Sequence, residues 1–362
     1  MLYAVKIMIA QQKNLQLIQM LRGIASMLVV LYHITGNYSE NLNQTFLFNI
    51  FNFGGSGVDI FFVLSGFIIA YANKNYVANP QKVITFLKRR FIRIFPIYWI
   101  IITFFLALQL FFPLYYRSHF ELNTANLLAT YLLLPNHAMI NGVSLSLTNE
   151  LFFYLLFTLA ILIPVKKYSL YLLLVYFVLL LLFALAGVDW AGGNSYSGLL
   201  FFPMNIEFLL GVFIVLIIDK ISKSWIWPLL LAGILLFLTG AYFSNHGITG
   251  ISSNANYVLN RVVLFGFPSF LIILSLVKME LNKSITVKKI FLHLGDASYS
   301  IYLIHLPLVA AFYKILAKLH INNTLLLILL SCILFASVCF TGIIIYNKIE
   351  NPLIKKLNKT LL

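Results

Sequence analysis

Ten apolar stretches of about 20 residues run along this chain and constrain its fold more than any other feature of the sequence. A stretch of this length crosses the hydrocarbon core of a bilayer as one α-helix, because a helix satisfies its own backbone hydrogen bonds. The sequence therefore predicts an all-α, polytopic membrane bundle of about ten transmembrane helices. The predicted spans are 18–35, 55–72, 91–112, 144–165, 169–187, 199–218, 226–243, 259–277, 298–317 and 324–346.

The composition excludes an ordinary soluble protein. Hydrophobic residues make up 61% of the chain and charged residues only 10%, which leaves too few polar side chains to cover a surface in water. The net charge of +15 reflects membrane topology, because 21 of the 25 Lys and Arg residues fall on the side of the spans that holds both termini. This bias predicts that both termini are cytoplasmic, and no nucleic-acid partner is expected.

We interpret residues 1–362 as a single transmembrane domain, because no segment is long and polar enough to form an appended soluble domain. The N-terminal run follows Lys6 and Lys13 without a small-residue cleavage site, which predicts a retained anchor. The largest outer loop, about 113–143, contains His119 and His137, which we expect to be solvated, and a further apolar piece at 127–134. That piece is either re-entrant or packed on the bundle.

Two polar side chains interrupt the first span. Arg22 and His33 are eleven residues apart, so both project from one face of a helix, about 16 Å apart along its axis. Ionisable groups in a bilayer are costly and usually face a bundle interior or a water-filled path. We therefore expect other spans to supply partners for both residues.

Basic residues at the start of the third span match Arg22 in depth. Lys88 and Arg89 are expected to reach lipid phosphates in accordance with the positive-inside rule. Arg93 is followed directly by apolar helix, and Arg90 lies three residues before it. Guanidinium groups bind phosphates with two parallel hydrogen bonds, so Arg22, Arg90 and Arg93 form a candidate site for a phosphorylated cytosolic ligand.

Two carboxylates match the depth of His33 toward the outer side. Glu150 either caps its helix, where a carboxylate favours the helix dipole, or orients the imidazole and stabilises its charged form during proton transfer. Asp59 follows a glycine-rich entry to the second span and either plays the same part or caps the helix, and we favour capping. His305 is expected deeper, toward the cytoplasmic half, with Tyr302 one turn before it.

Other motifs for chemistry are absent from the sequence. It contains no glycine-rich phosphate loop, no zinc-ligand spacing and no Gly-x-Ser-x-Gly elbow, so we expect no metal. Ser65 and Gly66 favour close helix packing over a nucleophile, because no base lies next to Ser65 in the sequence.

Five segments in order along the chain resemble the acyltransferase-3 family of integral membrane acyltransferases. Arg22 and His33 are similar to its Arg-x10-His signature, and GVDIFFVLSGF at 57–67 resembles its second-helix motif. The remaining segments are RRFIRIFPIYW at 89–99, SLTNELFFY at 146–154 and SYSIYLIH at 298–305. One departure is Leu145, where many members carry Trp, and it concerns wall contacts rather than chemistry.

The resemblance implies an O-acyltransferase that moves an acyl group, most often acetyl, from cytosolic acyl-CoA to a sugar of an exported glycan. It implies a location in the bacterial cytoplasmic (inner) membrane, with a polysaccharide or lipid-linked glycan as acceptor. His33 would be the general base, oriented by Glu150. The expected donor-binding residues are Arg22, Arg90, Arg93, Tyr302 and His305, and the expected acceptor-binding residues are Asp59 and Ser65.

Two other classes of function fit the same polar residues. A transporter or flippase of lipid-linked saccharides also requires charges within the membrane, but it would not consume acyl-CoA. In a non-catalytic membrane scaffold the polar residues would be structural pairs, and loss of His33 would lower stability rather than activity.

Overall fold

A computed structural model describes residues 15–111, 122–135, 142–186, 195–247, 259–321 and 323–361. These residues form helices joined by turns and contain no strand, which confirms the all-α class. Lys6, Lys13, His119 and His137 lie outside the described residues, whereas the apolar run predicted to be a retained anchor is described. In chain order the helices are α1 (Gln16–Leu42), α2 (Gly57–Ala72), α3 (Val83–Phe111), α4 (Thr124–Leu132), α5 (Ser144–Leu162), α6 (Lys166–Leu185), α7 (Tyr196–Phe201), α8 (Asn205–Ile217), α9 (Ile226–Asn245), α10 (Phe267–Asn282), α11 (Lys289–Asp296), α12 (Ser298–Lys318), α13 (Thr324–Ile345) and α14 (Asn351–Leu361).

Ten helical segments of the described chain are long and apolar enough to cross a membrane, and each overlaps one predicted span. They also expose large apolar side chains, such as Leu174, Leu235 and Phe340, as helices in contact with lipid do. The prediction of ten spans is therefore confirmed.

Several helices extend beyond the predicted spans. Helix α1 continues two turns past residue 35, where the Asn37 and Asn41 amides donate to the carbonyls of the residues four positions earlier. Helix α3 begins at Val83, so its basic residues are helical rather than part of a loop. The predicted span 199–218 is instead interrupted after α7, close to Pro203, whose ring removes a backbone donor and restricts the preceding residue.

The apolar piece at 127–134 lies against the bundle. Most of it is helix α4, which packs against α3 through two hydrogen bonds to its backbone carbonyls. The Tyr98 hydroxyl donates to the carbonyl of Thr130 over 2.7 Å, and the Trp99 indole donates to that of Tyr131 over 2.9 Å. Of the two alternatives for this piece, packing on the bundle is the one observed.

Close helix contacts at glycines position the second helix. A Cβ atom at Gly66 of α2 would overlap the backbone carbonyl of Phe208 in α8, and one at Gly211 of α8 would overlap that of Val63. These helices therefore approach with backbone against backbone, as small residues allow in membranes. The close packing predicted at Gly66 is confirmed, and it fixes the face of α2 that carries Ser65.

Candidate functional site: a cavity between arginines and histidines

A cavity of about 130 Å³ lies between α1, α2, α3, α5 and α12. It is far larger than the space of about 10–15 Å³ that one water needs, so it has room for part of an organic ligand. Its walls include apolar side chains such as Phe61, Phe62 and Ile68. Six of the residues predicted from the sequence line it: Arg22, Ser65, Arg90, Arg93, Glu150 and Tyr302.

Arg22 is held in place by hydrogen bonds that connect it, through Gln19, to α11. Its Nη1 donates to Oε1 of Gln19 over 3.2 Å, and the Gln19 amide in turn donates to the Asp296 carboxylate. The backbone at Gly295 approaches the carbonyl of Gln19 so closely that a Cβ atom there would overlap it. The packing of α11 on α1 thus places Asp296 where it fixes Gln19, and Gln19 fixes the guanidinium.

Arg93 forms an ion pair with Glu350, a residue that the sequence reasoning did not single out. The Nη1 to Oε1 distance is 2.7 Å, and the carboxylate is fully buried whereas the Arg93 side chain keeps 30% of its exposure. The second oxygen of Glu350 accepts from the Ser300 hydroxyl over 2.6 Å. The guanidinium also lies over the Tyr299 ring, 5.5 Å from its centre, in cation–π contact.

Arg90 lies between two aromatic rings. Its guanidinium carbon is 5.5 Å from the centres of both Phe86 and Tyr154. Its Nε is buried, and within the described part of the chain no atom accepts a hydrogen bond from it. Arg89 is exposed above the Tyr76 ring and Lys88 donates to a carbonyl at the end of α14, so both lie outside the cavity.

Glu150 joins the arginines, which corrects the expectation that it orients His33. Its Oε1 accepts from the Ser65 hydroxyl over 3.1 Å and from the Tyr154 hydroxyl, and it interacts electrostatically with Arg22 and Arg93. Among the described residues no hydrogen bond connects it with His33. A half-buried carboxylate is stabilised where donors and cations converge, and that place is the arginine end of the cavity.

His305 is the ring that lies against His33. The two imidazole centres are 5.1 Å apart, so His305 is not displaced toward the arginine end as its expected depth implied. Nδ1 of His305 lies 2.7 Å from the carbonyl of Tyr302. Since a carbonyl only accepts, Nδ1 carries the proton, and Nε2 is a bare acceptor that is buried with no partner in the described chain.

Tyr302 separates the cavity from the two histidines. Its hydroxyl shares a hydrogen bond of 2.6 Å with Ser146, and its ring packs against Phe61 on one side and His305 on the other. His33 itself is partly exposed beyond this point and also touches Tyr32. The arginines therefore line the cavity, whereas the two histidines lie outside it, next to Tyr302.

Asp59 makes no capping hydrogen bond at the start of α2, which corrects the expectation that it caps this helix, and it does not line the cavity. Its fully buried carboxylate pairs with Arg261, with Nη2 to Oδ2 at 2.7 Å and Nε to both oxygens at 3.0 Å. Arg261 also donates to the carbonyl of Gly55. Glu207, another buried carboxylate, interacts electrostatically with this pair. Arg261 was the feature of the sequence from which this ion pair could have been predicted, because a lone Arg beside an apolar span requires an anion.

No group of three or more His, Cys, Asp and Glu side chains in the described ranges is placed to hold a metal ion.

The sequence of this chain matches a family of acyltransferases. The family model described as an acyltransferase domain aligns with residues 16–346. The chain belongs to this acyltransferase family. It is also 25% identical over 316 residues to the exopolysaccharide production protein ExoZ of Rhizobium meliloti (strain 1021), covering 84% of this chain and 91% of that protein. No solved structure matches the chain.

Proposed function

We propose that this protein transfers an acyl group, acetyl in our proposal, from cytosolic acyl-CoA to a sugar hydroxyl of an exported or cell-surface polysaccharide. The family supports acyl transfer, and the name of the similar ExoZ protein supports an exopolysaccharide as acceptor. We place both termini in the cytoplasm, because the Lys and Arg residues are so unevenly divided between the two sides of the spans. The membrane in this proposal is the bacterial inner membrane, as the family resemblance implies.

One observation carries the proposal: three arginines and Tyr302 line a single cavity, and the Tyr302 ring touches His305, which packs against His33. Arg22, Arg90 and Arg93 present a cationic surface that suits the phosphates of CoA, and the buried Nε of Arg90 is a donor without an acceptor. The apolar side chains of the cavity wall suit a narrow chain between a nucleotide and a thioester. In this proposal the donor extends from the arginines toward the histidines, where the acceptor arrives.

His33 is the general base in this proposal. It takes the proton of the sugar hydroxyl as the hydroxyl oxygen bonds to the acyl carbon, and it returns the proton to the CoA thiolate when the carbon–sulfur bond breaks. His305 takes the orienting role expected of Glu150, because its ring packs against that of His33. Glu150 instead offsets the charge of the arginines and binds Ser65 and Tyr154.

The test uses the purified chain in lipid vesicles with acetyl-CoA and isolated surface polysaccharide. We expect free CoA thiol only when the polysaccharide is present, and an increase in polysaccharide mass equal to the acyl group. His33→Ala should reduce transfer by roughly 10²- to 10⁴-fold, the usual contribution of a general base, with an unchanged elution profile.

The matched control is His246→Ala, since His246 is exposed at the end of α9 and should transfer at the wild-type rate. Transfer retained in His33→Ala would overturn the role of His33. Movement of glycan across the vesicle membrane without thiol release would instead identify a transporter.

A further inference from the structure

Glu350 occupies an unusual place in the last membrane segment. It ends a π-helical stretch, Tyr346–Glu350, that connects α13 to α14 without a break. The three residues before it are exposed, whereas Glu350 is fully buried. A π-helical turn carries an extra residue and shifts the facing of those that follow, and such turns are frequent at functional sites. Here the shift turns a carboxylate inward from a strongly basic segment.

Both oxygens of this carboxylate are engaged. Oε1 accepts from Arg93 over 2.7 Å, and Oε2 accepts from Ser300 of α12 over 2.6 Å. Ser300 is fully buried and follows Tyr299, whose ring lies beneath the Arg93 guanidinium. Glu350 is therefore fixed by Ser300 of α12 and forms an ion pair with Arg93 of α3.

The ion pair with Glu350 leaves Arg93 able to bind an anion. A guanidinium has five N–H donors, and one of its nitrogens is directed to Glu350 while the side chain lines the cavity. Arg22 and Arg93 are close enough to repel each other, and Glu350 attracts both. Without that attraction, the long Arg93 side chain would gain by turning toward solvent, as exposed arginines at membrane ends do.

We propose that Glu350 is a positioning residue for the acyl donor: it holds Arg93 toward the cavity, so that the guanidinium meets a phosphate of CoA without rearrangement. The inference rests on the proposed function, since it takes CoA as the ligand of the arginines. Binding to a side chain that is already fixed avoids the entropy of ordering it, so Glu350 should strengthen donor binding although it carries the same sign of charge as a phosphate.

The experiment measures the dissociation constant of CoA by calorimetry on the full chain in detergent. We expect Glu350→Ala to raise the constant about tenfold, the order of one charge-assisted hydrogen bond. Glu350→Gln keeps an oxygen for Arg93 and loses the charge, so it should show a smaller rise and provides a second variant if Glu350→Ala does not fold. Glu280→Gln, at a buried carboxylate that accepts from the backbone N–H of Gln16, is the matched control and should bind as wild type.

A double-mutant cycle separates positioning from general damage. If Glu350 acts through Arg93, adding Glu350→Gln to an Arg93→Ala chain should cause no further loss of CoA binding. An equal loss in both backgrounds would overturn the inference, as would tighter CoA binding in Glu350→Gln, which would make Glu350 a competitor of the phosphate. Absence of CoA binding by the wild-type chain would overturn the proposed function and the inference with it.

Discussion

At the scale of single residues, the Asp59–Arg261 pair shows how this bundle accommodates charge away from its cavity. The carboxylate is fully buried and the guanidinium meets it with two nitrogens and also binds a backbone carbonyl. Such a pair adds little over an apolar contact, but removal of one partner leaves a buried charge uncompensated.

We therefore predict that Asp59→Asn destabilises the fold by about 3–5 kcal/mol, because Arg261 loses its counter-ion. Thermal unfolding in detergent measures this, with Asp219→Asn as the control at an exposed carboxylate. The double change Asp59→Asn with Arg261→Gln should recover part of the loss, since it also removes the guanidinium that Asp59→Asn leaves without its partner. Equal melting temperatures for Asp59→Asn and wild type would contradict the structural role of the pair.

At the scale of elements, the approach of α2 to α8 determines where Ser65 enters the cavity. Gly66 and Gly211 let the two backbones touch, and Ser65 then reaches Glu150 of α5 from the adjacent position on α2. A side chain at either glycine would separate the helices and change the wall of the cavity.

We predict that Gly66→Ala destabilises the protein by about 1–3 kcal/mol, the cost of forcing extra atoms into a packed contact. Gly36→Ala in α1 is the opposite case, because, apart from the adjoining residues of its own helix, no atom of the described chain lies within 4 Å of a Cβ placed there. That change should stabilise the helix by up to about 1 kcal/mol through helix propensity. Melting temperatures shifted in the same direction by both changes would contradict this account of the contact.

At the scale of the whole molecule, the charge asymmetry makes a prediction about orientation. Lys220 and Lys318 are exposed at the ends of spans that the count of Lys and Arg assigns to opposite sides. In a chain with Cys332→Ser and Cys339→Ala, an impermeant thiol reagent should label Lys220→Cys only from the cytoplasmic side and Lys318→Cys only from the outer side. Labelling of both from one side would contradict the predicted topology and the direction assigned to the donor.

Much of the fold could be predicted from local patterns in the sequence. The ten spans are visible as runs of apolar residues, because lipid demands an apolar surface along each helix and a helix satisfies its own backbone. The arginines of the cavity and the two histidines were recognisable for the same reason, since an ionisable group inside such a run is costly unless it is used. The helix ends were less accurate, because polar residues such as Asn37 continue a helix that hydropathy alone would end.

The pairing of these residues was decided by tertiary structure. Depth along a span says nothing about rotation around the helix axis, and successive residues on a helix differ by about 100° in direction. Glu150 therefore lies with the arginines instead of His33, His305 adjoins His33, and Asp59 meets Arg261.

The sequence by itself determined the ten candidate membrane spans of the described chain and its acyltransferase family, and it supplied the side chains for the proposed chemistry. Only the tertiary structure decided which carboxylate accompanies which cation. Glu350 illustrates the reason: it is 257 residues from Arg93 in the chain, and a π-helical turn directs it inward. Contacts at that separation depend on how whole helices pack, which no local pattern encodes.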